Sequence, residues 1–160
     1  QSEVTYKQAP HLFRNIGNAK FVDVANQNTE LMEPIVGRGA AYGDIDNDGD
    51  WDLVVTNCNG HPRLFRNDRE TPHSWIKIKL IGKKSNRDGI GSRVKVTTES
   101  GFQLRTLRSG SSYCSQSELS LIFGLGNDRH IRQIDINWPS GLVTSLTEVT
   151  LNQSIIIEEN

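Results

Sequence analysis

From Trp75 to the end of the chain, apolar and polar residues alternate one by one, and this period of two is what most constrains the fold. WIKIKLIG (75–82), SRVKVTT (92–98), FQLRTLR (102–108), LSLIFGL (119–125), IRQIDINW (131–138), VTSLTEV (143–149) and SIIIEE (154–159) follow one another. Turn-forming SNRDG, ESG, GLGND and PSG separate several of them. Alternation places one face of each segment inward and the other in solvent, as in antiparallel sheets. No segment carries a helical period. Seven such strands predict a β-sandwich. Lys77, Lys79, Arg105 and Arg108 fall on or beside the polar positions and read as solvated strand faces.

The first seventy residues are organised differently. HLFRN at 11–15 returns as RLFRN at 63–67, with Leu12 and Leu64 52 residues apart. Between the echoes lie FVDVA (21–25), AAYGDI (40–45) and WDLVVTN (51–57), each short and bounded by Gly, Asn or Asp. A period near fifty built of strands is the signature of propeller blades and related β arrays. The stretch amounts to about one four-stranded unit plus the end of a preceding one. Its open edges predict self-association or a longer parent protein. The repeat stops at Thr71-Pro72, which sets a boundary near residue 70 and divides the chain into 1–70 and 71–160.

Residues 44–52 read DIDNDGDWD, five aspartates in nine positions. Residues 1–70 hold eleven acids against seven Lys and Arg, and residues 71–160 hold eight against eleven. The acidity of the first part is therefore local to this loop. Asp44, Asp46, Asp48 and Asp52 supply carboxylates at odd positions, and Asp50 fills the remaining odd position, where its carbonyl is the expected contributor. Gly49 sits where a sharp turn needs a residue without Cβ. This number of hard oxygen ligands fits Ca²⁺, which accepts six to eight oxygens at flexible angles, better than the strictly octahedral Mg²⁺. An EF-hand would place a bidentate Glu at the twelfth position of the loop; here that residue is Val55 in an apolar run, so the EF-hand reading fails.

At these residues the sequence becomes recognisable. GRGAAYGDIDNDGDWDLVVTNCNGHPRLFRND resembles the FG-GAP/VCBS repeat of integrin-type propellers. GIGSRVKVTTESGFQLRTLRSGSSYCSQSELSLIFGLG through IDINWPSG resembles the ASPIC/UnbV domain that follows such repeats. The resemblance implies an all-β protein, a partial propeller blade with a calcium loop followed by a β-sandwich-like domain. It further implies a secreted, extracellular or periplasmic protein whose calcium ligands fall on Asp44, Asp46, Asp48 and Asp52, with Asp50 through its carbonyl. The implied role is a non-catalytic calcium-binding adhesion or recognition module with a protein or glycan ligand. The UnbV name also attaches the family to enediyne-type biosynthesis, so an accessory protein or enzyme of secondary metabolism is the alternative. A purely architectural propeller end is a third reading.

Other features are weaker. No run of eighteen apolar residues exists, so no membrane insertion is expected, and no patch suggests nucleic acid. The chain starts at Gln1, which reads as a processed chain or a fragment. Cys58 and Cys114 are compatible with a free buried pair or with a disulfide joining the halves. Trp75 and Trp138 read as core and Trp51 as a surface candidate. His11, His61, His73 and His130 share no spacing with a carboxylate or serine that would suggest catalysis. The polar stretch Ser109–Glu118 reads as an ordered connection whose hydroxyls satisfy backbone groups, or as a ligand-binding loop. Asn152-Gln153-Ser154 is a glycosylation sequon, meaningful in a eukaryotic secretory pathway.

Overall fold

The computed structural model describes residues 6–27, 31–68 and 72–160. The expected boundary near residue 70 abuts residues 69–71, outside the described residues. Among the described residues the regular elements are strands, apart from a single 3-10 turn at Ala25–Gln27. The first part contains β1 (Phe13–Asn15), β2 (Phe21–Asp23), β3 (Gly37–Gly43), β4 (Asp52–Asn57) and β5 (Arg63–Phe65). The second contains β6 (Ser74–Ile81), β7 (Arg93–Thr98), β8 (Phe102–Thr106), β9 (Leu121–Gly126), β10 (Ile131–Asn137), β11 (Val143–Leu146) and β12 (Gln153–Glu158). The seven strands expected after residue 71 are therefore the seven observed.

Those seven strands make two sheets, ordered β11-β10-β7-β8 and β12-β6-β9. Their inward positions build one apolar core. Ile76, Ile78 and Leu80 of β6 and Phe123 of β9 come from one sheet; Val94 and Val96 of β7 and Ile134 and Ile136 of β10 come from the other. This is a β-sandwich-like arrangement. Trp138 is 3% exposed and closes the core, its Nε1–H donating to Thr144 Oγ1 at 2.9 Å. One pairing is not antiparallel: β12 lies parallel to β6, from Gln153↔Ile76 to Glu158↔Ile81.

Glu159, just past β12, is fully buried and fastens this last strand. Its Oε2 accepts the backbone N–H groups of Lys83, Lys84 and Ser85 at 2.8, 2.8 and 2.7 Å. Its Oε1 accepts the hydroxyls of Ser85, at 2.9 Å, and Ser140. Burial alone would raise the pKa of this carboxyl, but the Ser140 hydroxyl, the Ser85 and Lys83 amides and the Ser85 hydroxyl together lower it to about 2.

The first part departs from the expected four-stranded unit. β3, β4 and β5 form a three-stranded antiparallel sheet, whereas β2 pairs with β1 in a separate hairpin. The cause is local: Gly17, Asn18 and Ala19 all adopt positive φ and reverse the chain between β1 and β2. The hairpin also brings His11 Nδ1 to 2.6 Å from Asp23 Oδ2, an exposed pair that no sequence spacing indicated. Cys58 and Cys114 are both free and both exposed, so neither the buried pair nor the disulfide is what the structure contains.

The edge of β3 is not open. Segment 112–118, which leads into the sandwich strand β9, runs beside it. Ala40 N–H donates to Ser112 Oγ at 2.9 Å, Tyr42 N–H to Ser117 Oγ at 3.2 Å and Asp44 N–H to Glu118 Oε2 at 2.9 Å. Glu118 N–H donates to the Tyr42 carbonyl at 2.9 Å. The serine-rich stretch thus satisfies alternate edge amides, as its connection reading expects. Ser112→Ala and Ser117→Ala should each cost about 1 kcal/mol in urea unfolding, and the double variant should gain concentration-dependent association in sedimentation.

Candidate metal centre

The aspartate loop joins β3 to β4, with Gly43 opposite Asp52 at its base. Val55, the position an EF-hand would use, lies inside β4 opposite Ala40. Asn47 and Gly49 have φ of 62° and 96°, and such positive-φ residues turn the chain tightly enough to converge alternate side chains. Asp44, Asp46 and Asp48 each offer one carboxylate oxygen within 4.8 Å of the others. Asp46 and Asp48 are exposed and Asp44 is buried.

Asp50 and Asp52 sit differently. Asp52 is 1% exposed and organises the loop: its Oδ2 accepts Ile45 N–H at 2.8 Å and its Oδ1 accepts Asn67 N–H at 2.9 Å. A carboxylate oxygen has two lone-pair sites, so these bonds leave capacity for a further partner. The Asp50 N–H donates to Asp48 Oδ1 at 3.1 Å. Burial and then the charges of Asp48, Asp52, Asp46 and Asp44 push its carboxyl pKa up to about 6. Burial is the larger cause, and the like-charge crowding adds to it.

Asp44 Oδ1 and Asp50 Oδ1 are buried without a hydrogen-bond partner. Buried polar atoms are rarely left so, and those that are point to an ion or a water. The loop's donor chemistry, all carboxylate and carbonyl oxygen, fits a hard divalent cation.

Two residues that sequence reasoning placed elsewhere belong to this site. Lys77 reads as a solvated strand residue but is 4% exposed beneath the loop. Its Nζ lies 3.1 Å from Asp44 Oδ2 and 2.8 Å from Glu118 Oε1. Burial works against its ammonium, but Glu118 and Asp44 more than offset this and raise its pKa. Burial likewise works against the Glu118 carboxylate, and Lys77, the Asp44 amide and Ser120 prevail and lower its pKa. Trp75 reads as core, yet its indole stands half-buried against Gly49. Trp51 meets Tyr42 edge-on, with centroids 5.0 Å apart. Arg66 approaches Asp46 from the exposed side at 3.8 Å and is bound more closely to Asp68, at 2.5 Å.

Residues 82–160 match the family described as ASPIC and UnbV. The chain is also similar to Cartilage acidic protein 1 of Mus musculus and of Homo sapiens. Each is 26% identical over 126 residues, which covers 76% of this chain and 19% of the relative. The chain thus spans under a fifth of the length of these curated relatives over the match. Among the described residues no helix is long and apolar enough to cross a membrane.

Proposed function

We propose that residues 44–52 bind one Ca²⁺ and that the chain is a calcium-ordered, non-catalytic recognition module of an extracellular protein. The observation that carries this reading is the converging Asp44, Asp46 and Asp48 carboxylates, backed by the partnerless buried Oδ1 of Asp44. Asp44, Asp46 and Asp48 would hold the ion through carboxylate oxygens, Asp50 through its carbonyl, and Asp52 would complete and frame the site. The ion would supply charge neutralisation, with loop order coupled to its binding. On this reading residues 1–70 are an FG-GAP/VCBS-type blade unit and residues 71–160 the ASPIC/UnbV domain. The name of the relatives, a cartilage protein, supports an extracellular setting.

Calcium at a hundredfold excess over its dissociation constant should stabilise the protein by about 2.7 kcal/mol. For a chain of this size that raises the melting temperature by roughly 5–10 °C over protein in chelator. The module reading is tested on glycan and matrix-peptide arrays, probed with calcium and again with chelator. Calcium-dependent capture without turnover supports it. Turnover of a glycan, peptide or activated ester would replace it with the enzymatic reading.

A further inference from the structure

Among the described residues Lys77 is the one buried cation, and it comes from a different sheet than the aspartate loop it serves. The two carboxylate oxygens of Asp44 are used differently. Its Oδ2 takes the Lys77 ammonium at 3.1 Å, while its Oδ1 is buried with no protein partner. Glu118 holds the same ammonium at 2.8 Å through Oε1 and receives the Asp44 N–H through Oε2 at 2.9 Å. Asp44, Lys77 and Glu118 therefore form one chain of charges from the loop into the sandwich, with Asp44 and Lys77 buried and Glu118 half-buried. Arg66, another cation near the loop, is exposed and 3.8 Å from Asp46, beyond hydrogen-bonding reach.

We propose that Lys77 is a positioning residue of the metal site, a resident cation supplied by the sandwich that sets how tightly the loop takes a divalent ion. The proposal rests on the calcium reading above. Without metal, the ammonium cancels part of the repulsion among the aspartates and fixes Asp44 with one oxygen free. With metal, the same ammonium opposes the ion across a shared carboxylate in a poorly hydrated place, where like charges are weakly screened. Lys77 thus stabilises the empty loop at the expense of affinity. Glu118 tempers Lys77 by sharing its charge, so removing Glu118 leaves the full ammonium facing Asp44 and the ion. The energetic linkage is reciprocal: whatever Lys77 does to calcium affinity, calcium does to the contact between loop and sandwich.

The two residues consequently predict opposite effects. Lys77→Met should bind Ca²⁺ about tenfold more tightly than the unaltered protein and melt lower in chelator. Glu118→Gln should bind several-fold more weakly. Both are read by calorimetric titration of CaCl₂ into chelator-stripped full chain, with melting followed in parallel. A residue that merely supported the fold would shift both affinities downward. If the unaltered protein binds calcium and the variants move together, or do not move, the proposal is overturned and the calcium site stands. If the unaltered protein takes no calcium, the metal reading falls and this proposal with it. Should Lys77→Met fail to fold, Lys77→Gln is titrated in its place: tighter binding than the unaltered protein supports the proposal, and unchanged or weaker binding overturns it.

Discussion

Gly49→Ala is expected to destabilise the protein by about 2–5 kcal/mol and to abolish ordered closure of the aspartate loop. Two independent costs combine there. The backbone φ of 96° is one that side-chain-bearing residues rarely adopt. A Cβ at this position would lie 2.1, 2.2 and 2.6 Å from Cε2, Cδ2 and Cζ2 of the Trp75 indole. Asn152 holds the Trp75 backbone in place, so the indole can yield only by turning about its own side-chain bonds. Trp75 N–H donates to Asn152 Oδ1 at 3.0 Å, and Asn152 N–H donates to the Trp75 carbonyl at 2.7 Å. Urea unfolding of Gly49→Ala, Trp75→Ala and the double variant separates the two costs. The steric part should disappear in the double variant and the backbone part should remain, so the effects will not add. Alanine at 49 tolerated within about 0.5 kcal/mol would contradict this packing.

Glu159→Ala should be the other severe substitution, lowering the melting temperature by on the order of 10 °C. It removes the acceptor of three consecutive backbone amides and two hydroxyls and releases the parallel strand β12 from the sandwich. The same carboxylate predicts a pH dependence. Its folded pKa is depressed from the ordinary 4.5 to about 2, so its contribution is fully present above the unfolded value. It is lost progressively as pH falls from 4.5 through about 2. Melting curves across that window should show the unaltered protein losing stability steeply, and Glu159→Ala losing visibly less. Parallel slopes would mean that Glu159 is not the titrating group.

What the sequence made legible follows from the range of each signal. Period-two alternation is carried within single strands, so β6 to β12 could be read directly, as could the odd spacing of the aspartates. Lys77 shows the limit. Alternation correctly put it on the face of β6 opposite Ile76 and Ile78, but that face is covered by a loop thirty-three residues earlier in the chain. No local pattern marks a strand face as covered rather than wet. Trp75 was misread for the same reason, because its partner Gly49 comes from the other sheet system. The parallel direction of β12 and the role of Glu159 depend on pairing with β6 and the 83–85 turn, more than seventy residues away. β2 was counted in one four-stranded unit with β3 to β5, whereas it pairs with β1, because periodicity gives strands and not partners. The serine-rich stretch carried its own signal, since closely spaced hydroxyls are suited to capping edge amides.

The most direct measurement is calorimetric titration of Ca²⁺ and of Mg²⁺ into chelator-stripped protein and into Asp46→Asn/Asp48→Asn, a pair exposed enough to change without disturbing the core. The expected result is one Ca²⁺ per chain, much weaker Mg²⁺ binding, and loss of the site in the double variant with the fold retained. Absence of binding by either ion, or calcium binding undiminished by the double substitution, would contradict it.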